Sequence, residues 1–192
     1  MNQRVSLTAQ AHNIIKEHLN SGDIAIDATV GNGHDCTFLA KQVGKQGTVF
    51  GFDIQKQAIA ATQLKLESEN IVSNIKLIHD SHSKMDQHIP LQQQGKIKTI
   101  MFNLGYLPGS DKSVITQADA TLVAINTSLS LLAADSILTI TAYPGHSGGE
   151  TEVAQIKQWL LLLDSEQYTH QTIYSSEKIT APLLFIIRKK HI

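Results

Sequence analysis

Five short apolar runs, each followed by a turn and a segment of helical period, constrain this chain more than any other feature. They are DIAIDAT, GTVFGFD, NIKLIHD, KIKTIMFNLG and SILTITAYPG. The segments that follow them are HDCTFLAKQV, IQKQAIAATQLKLESE, a short helical stretch, ITQADATLVAINTSLSLLA and EVAQIKQWLLLL. An opening amphipathic helix, TAQAHNIIKEHL, precedes the series, and YTHQTIYS and APLLFIIRK close it with no helix between them. Strands that alternate with helices build βαβ units, whose sheet is parallel and covered on both faces. Two final strands joined directly form a hairpin, so the last strand is predicted to run antiparallel. The 192 residues suffice for one hydrophobic core, and no repeat or linker divides them, so a single α/β domain over 1–192 is expected.

Ligands on such sheets bind beyond the carboxyl ends of the strands, which makes the residues there the candidates for function. The first strand ends in DATVGNGHDC, residues 27–36. Gly31 and Gly33 permit a tight turn, but Cys36 stands where a dinucleotide fingerprint wants its third glycine. That disfavours a nicotinamide-dependent oxidoreductase, and the lack of Gly-Lys-Ser/Thr excludes a P-loop. Asp27 would repel a pyrophosphate and suits a ligand carrying an ammonium group. Asp53 ends the second strand, where an acid commonly accepts from a ribose diol; capping of the next helix is the competing role. The third strand ends in HDSH, where Asp80 can accept from an adenine amino group and Ser81 can equally cap a helix. FNLGYLPGSDKS, residues 102–113, gathers an amide, a phenol and two glycines at the mouth of the fourth strand.

A formal net charge of −1 argues against a nucleic-acid binder that works through a global basic field. A local patch would serve, and Arg188-Lys189-Lys190 is the nearest to one. The lone cysteine cannot form an internal disulfide, and no signal peptide or membrane-spanning run is apparent, so a cytoplasmic location is expected. His79, His82 and His88 do not match a zinc spacing, and no metal is expected.

Together the strand-end residues resemble the ligand pattern of class I S-adenosylmethionine-dependent methyltransferases. More narrowly, DATVGNGHDCTFLA, FNLGYLPGSDKS and YPGHSGGETE, in that order, are similar to the YtqB/MnmM-type family, whose activity is methylation of a wobble uridine in tRNA. The resemblance implies a Rossmann-like, seven-stranded, mostly parallel sheet with an antiparallel last strand and helices on both faces. It also implies S-adenosylmethionine as cofactor, a tRNA anticodon stem-loop as partner, and a homodimer. Cofactor contacts are then expected at Asp27, Gly31, Asn32, Gly33 and Asp35 for the methionine end. Asp53 and Ile54 would serve the ribose, Asp80, Ser81 and His82 the adenine, and Asn103 would border the donor as well. In related amino-methyltransferases the fourth strand ends in Asn-Pro-Pro-Tyr, which grips the amine. Here Asn103 and Tyr106 match the outer positions, while Leu104 and Gly105 replace the prolines.

On this resemblance Asn103 and the Leu104 carbonyl would accept from the reacting amine, Tyr106 would stack on the base, and His146 could take the proton lost on methylation. Gly105, Pro108, Gly109, Asp111, Lys112, Tyr143, Gly148 and Gly149 would border the target nucleotide. The expected activity is N-methylation of the 5-aminomethyl group of (2-thio)uridine at position 34. Methylation of an rRNA adenine, methylation of a small-molecule amine, and donor sensing without catalysis are the alternatives.

Overall fold

The computed structural model describes residues 5–71, 75–105, 118–145 and 148–191, the side chains of 118 and 119 excepted. Along the chain run α1 (Leu7–Lys16), β1 (Ile24–Asp27), α2 (His34–Val43), β2 (Thr48–Asp53), α3 (Lys56–Ser68), β3 (Ile75–His79) and the short α4 (Met85–His88). They are followed by β4 (Ile97–Asn103), α5 (Ala118–Leu131), β5 (Leu132–Ala142), α6 (Gly149–Leu161), β6 (Tyr168–Tyr174) and β7 (Leu183–Lys189). The seven strands form one sheet in the order β3-β2-β1-β4-β5-β7-β6. Strands β1 to β5 pair in parallel, and β7 lies antiparallel between β5 and β6. This is the class I methyltransferase topology expected from the sequence.

Alternation along the strands divides the core in two. Leu183, Phe185 and Ile187 of β7 join α5 and α6 on one face through Ile125, Ile156 and Leu160. Leu184 and Ile186 point the other way and join α1 and α2 through Ile15 and Leu39. A one-residue slip of β7 would exchange the two sets, and because both are apolar it is side-chain size, Phe185 against Leu184, that tells the registers apart.

Local chemistry sets several of the helix ends. Ser6 caps α1 by accepting from the Ala9 amide at 3.2 Å, and Leu7, Ala11 and Ile15 form the helix's buried stripe. Gly33, at φ +74°, turns the chain into α2, and Gly44, at φ +61°, ends it. The fifth strand departs from expectation, beginning at Leu132 directly after α5 rather than at Ser136. Its pairing with β4 shifts register between Ile97 and Thr99, and Asp135 takes a left-handed conformation at φ +50°. Lys98 donates to the carbonyls of Ala134 and Asp135 at 3.0 Å each, so the irregular start of the strand is satisfied from its neighbour.

Strand order reverses at β1, which has β2 on one side and β4 on the other. The crevice at that reversal is where open α/β sheets bind ligands. It is bounded by Asp27, Asp53 and Asn103, the last residues of those three strands.

Candidate active site

The turn after β1 is held from three sides. The Gly31 amide donates to Asp53 Oδ2 at 2.9 Å, and the Thr62 hydroxyl of α3 donates to the Gly31 carbonyl at 3.2 Å. Gly33 donates to the Val30 carbonyl at 2.8 Å and packs so close to Thr62 that a Cβ there would lie 2.7 Å from its Oγ1. Asn32 projects outward, exposed at the tip. Cys36 is fully buried, and its Sγ would lie 3.6 Å from a Cβ on Gly51. The small residue that lets α2 approach the sheet is therefore supplied by β2, at Gly51. Burial, with the carboxylates of Asp27 and Asp35 nearby, pushes the Cys36 thiol up, so it stays protonated.

Asp53 also accepts from the Gln55 amide at 2.8 Å, ordering the chain just ahead of α3. Of the two roles considered from the sequence, helix capping is not made, because the N-cap of α3 is Gln55 and no side chain caps it. Each Asp53 oxygen keeps a second lone pair for a ligand hydroxyl. Ile54 beside it is half exposed.

Asp27 lies beneath the turn with no exposed surface. Its Oδ1 accepts from the Thr29 amide at 3.1 Å, while its Oδ2 is buried without a hydrogen-bond partner. Burial, together with the charges of Asp35 and Asp53, pushes the Asp27 carboxyl well above the usual carboxylate range. The arrangement leaves a buried carboxyl oxygen beneath the turn without a partner.

At the end of β4 the Asn103 amide donates to Thr29 Oγ1 at 2.7 Å, tying β4 to the β1 turn. Its side-chain Nδ2 lies 3.4 Å from Asp35 Oδ2, in the first turn of α2. Asp35 is buried, and its other oxygen lies 2.6 Å from His12 Nε2 on α1. The His12 ring stacks on Phe38 at 3.9 Å and 5°. One turn earlier on α1, Thr8 is hydrogen-bonded to the phenol of Tyr143, which follows β5, and burial raises that phenol. Gly105 lies against the same ring: a Cβ on it would be 3.6 Å from Tyr143 Cδ2. The Leu104 side chain is core, and its N–H continues the ladder to the Thr141 carbonyl at 2.8 Å.

The third strand end is more self-contained. Asp80 accepts from the Ser81 amide at 2.8 Å, Lys84 Nζ at 2.9 Å and His88 Nε2 at 3.0 Å. The hydrogen bonds from His88 and Lys84 hold its carboxyl below the usual range. Ser81 caps the turn that follows by accepting from the Ser83 amide. His82 is buried, donating from Nδ1 to the Ala28 carbonyl at 3.0 Å and meeting the Phe102 ring edge-on. His79 turns instead to the Ile54 carbonyl at 3.0 Å. Among the described residues no group of three or more His, Cys, Asp or Glu could hold a metal ion, and no helix is long and apolar enough to cross a membrane.

Gly148, at φ +82°, turns the chain into α6, whose first residue Gly149 is buried. Tyr106, Pro108, Gly109, Asp111, Lys112 and His146 lie outside the described residues. The structure thus brings Asp27, Gly31, Gly33, Asp35, Asp53, Asn103 and Tyr143 around one strand-end crevice. Sequence reasoning missed Thr8, His12, Thr29 and Thr62. Thr8 and His12 sit four apart, beside the buried stripe of α1, and that spacing was the one available signal.

The family model described as "Putative rRNA methylase" matches residues 49–189. A chloroplastic tRNA (mnm5s2U34)-methyltransferase of Arabidopsis thaliana is 35% identical over 162 residues, covering 80% of this chain and 58% of that protein. The chain therefore spans less than two thirds of the plant protein's length. A crystal structure described as a "putative rRNA-methylase" from Clostridium thermocellum superposes with a TM-score of 0.90 at 37% identity, covering 98% of this chain and 100% of that one. A "putative methyltransferase" from Streptococcus mutans, solved in complex with SAH, gives 0.85 at 34% identity over 98% and 99% of the two chains.

Proposed function

The chain belongs to the family described as "Putative rRNA methylase", and from that premise we propose that it is an S-adenosylmethionine-dependent tRNA methyltransferase. Its substrate in this reading is the 5-aminomethyl group of (2-thio)uridine at wobble position 34, and its product the 5-methylaminomethyl nucleoside. The plant relative, named for that nucleoside, supports the choice of substrate, and the SAH-bound neighbour supports the choice of donor.

The strand-end residues fit that donor. The unpartnered Oδ2 of Asp27 matches an ammonium, and Asp53, with lone pairs to spare, matches a ribose diol. Asp80 is already engaged by Lys84 and His88, so any contact with the adenine falls to its remaining lone pairs or to Ser81. When bound, S-adenosylmethionine supplies an electrophilic methyl group on a sulfonium.

The observation that carries the reading is the amide of Asn103 at the crevice, its Nδ2 turned toward Asp35. A primary alkylamine reacts only as the neutral base, and a carboxylate beside it would stabilise the ammonium. The carbonyl of Asn103 accepts an N–H without that penalty and aims the lone pair the other way. Such positioning is worth on the order of 7–11 kcal/mol in favourable cases. Tyr143 adds an aromatic wall on the β5 side of the crevice. Tyr106 and His146 keep their expected roles in this reading, as stacking partner and proton acceptor.

Nucleoside mass spectrometry of tRNA and rRNA from cells with and without the gene tests the reading. Loss of 5-methylaminomethyluridine or its 2-thio form, with the aminomethyl precursor accumulating, is the expected result. Loss of a methylated rRNA adenine instead would move the substrate to the ribosome. The cytoplasmic location and homodimer expected from the sequence belong to this reading too; light scattering on the purified protein reads the second.

A further inference from the structure

The basic cluster Arg188-Lys189-Lys190 is spent on the fold itself. Arg188 donates to His18 Nε2 at 2.8 Å, Lys189 to the Leu132 carbonyl at 2.8 Å and Lys190 to the Ser165 carbonyl at 2.7 Å. Arg188 and Lys189 pair with Ile137 and Ser136 near the start of β5, at the edge of the sheet opposite the crevice. An RNA that reaches the crevice is therefore held by other cations. We propose that the cleft between α6 and the β6–β7 hairpin holds a single-stranded nucleotide next to the one that reacts, its base on Tyr174 and its phosphates at Lys157 and Lys178. This deepens the RNA-methylation reading and rests on it.

Strand β6 runs parallel to β5, so Tyr174, its last residue, and the hairpin that follows lie at the same edge of the sheet as the crevice. The chain leaving β5 joins the two. Tyr143 walls the crevice, and two residues on, a Cβ on Gly145 would lie 3.5 Å from the Thr180 carbonyl of the hairpin. Ser175 closes the base of the hairpin, its amide and hydroxyl donating to the Pro182 carbonyl at 3.0 and 2.7 Å. Between the hairpin and α6 opens a cleft of about 400 Å³, within the size range of small-ligand sites. Buried Val153, Ala181 and Leu183 give it an apolar lining, and exposed Tyr174, Lys157 and Lys178 complete it. Lys157 Nζ stands 5.4 Å from the centre of the Tyr174 ring, yet Tyr174 remains 56% exposed. Among the described residues neither lysine has a carboxylate within ion-pair distance. Glu177 also lines the cleft and offsets one of the two charges. A ring on which any base stacks and cations that follow the backbone are the two parts of single-strand recognition. A small anion would engage the lysines and leave the ring and the apolar lining idle; a nucleotide uses all three.

Fluorescence anisotropy with a labelled aminomethyluridine anticodon stem-loop, taken across a salt series, tests this. A labelled oligouridylate is run alongside as a bare single strand. SAH affinity and melting curves equal to wild type establish that each variant is folded. Lys157→Gln combined with Lys178→Gln should weaken stem-loop binding about tenfold or more at low salt. It should also flatten the log–log salt slope by about 1.4, the value of two phosphates on a single strand. Tyr174→Ala should weaken binding by about 5- to 100-fold, while Tyr174→Phe, which keeps the ring, should stay within about twofold of wild type. Should Tyr174→Ala fail to fold, the exposed lysine pair carries the test alone. Wild-type affinity and salt slope in the variants overturn the proposal, as does a wild-type protein that binds neither RNA. A dimer by light scattering that the variants dissolve assigns the cleft to a second copy and overturns it too. If wild type binds either RNA, the variants lose that binding, and no methyl group reaches the stem-loop, the cleft stands and the wobble-uridine reading falls.

Discussion

The Gly31 amide donates to the carboxylate of Asp53 at 2.9 Å, so the end of β2 holds the turn that follows β1. One side chain thus shapes the glycine turn and, in the proposed function, takes the ribose of the donor. Asp53→Ala should weaken SAH binding by about 10- to 100-fold, the value of one or two charge-assisted hydrogen bonds. Calorimetry reads this directly, and an unchanged affinity would remove Asp53 from the donor site.

Asp27 should trade stability for binding. Its raised folded-state pKa means that the native state holds this proton to higher pH than the unfolded chain. The stability it contributes is therefore present below the unfolded value of 3.8 and lost as pH rises through the folded value. Asp27→Asn removes that penalty, so the ligand-free variant should melt higher at neutral pH. Its affinity for SAH should fall, and a melt that moves the other way would contradict the account.

Asn103 separates turnover from donor binding. Asn103→Ala should lower kcat by on the order of 100-fold or more, with SAH affinity within about threefold of wild type. Asn103→Asp places a carboxylate beside the amine and raises its pKa, so the residual activity should shift to higher pH. Steady-state kinetics across pH decides between loss of orientation and loss of fold.

His82 gives the fold an acid-sensitive joint. Burial lowers its pKa from 6.5, so the unfolded chain takes up a proton that the native state refuses. Stability is then lost as pH falls below about 6.5 and stops falling only below the folded-state value. His82→Asn should flatten that dependence in thermal melts taken across the range. The same slope in wild type and variant would assign it to another group.

Gly51 and Val30 should be coupled. A Cβ on Gly51 would lie 2.7 Å from Val30 Cγ2 and 3.0 Å from Leu77 Cδ2. Gly51→Ala should cost about 1–3 kcal/mol by overpacking, and Val30→Ala in the same chain should return much of it. A double-mutant cycle by urea unfolding measures the term, expected at about 1 kcal/mol or more. Additive costs would mean that the contact had relaxed elsewhere.

The sheet was readable from the sequence because its signals are local. Helix α2 matches its expected span, since Gly33 and Gly44 punctuate both ends. The antiparallel β7 followed from two strands with no helix between them. The start of β5 was not readable, because it depends on a register shift against β4 that no residue in β5 announces. The same holds for His12. Its helical period marks it as a neighbour of the buried stripe, but Asp35 is 23 residues away and meets it only once α1 and α2 have packed. Asp53 was half readable: the acid at the strand end was evident, its grip on Gly31 was not.

The position of β7 between β5 and β6 puts space and synthesis in opposite orders. Strand β6 leaves the ribosome first, yet it has no partner in the sheet until residues 183–189 arrive to bridge it to β5. During that interval the apolar edge of β5, with Leu138 and Ile140, stands open. An unpaired apolar edge is the template on which nascent chains pair with one another. Translation that stalls before Leu183 should therefore yield an aggregating product rather than a shortened enzyme.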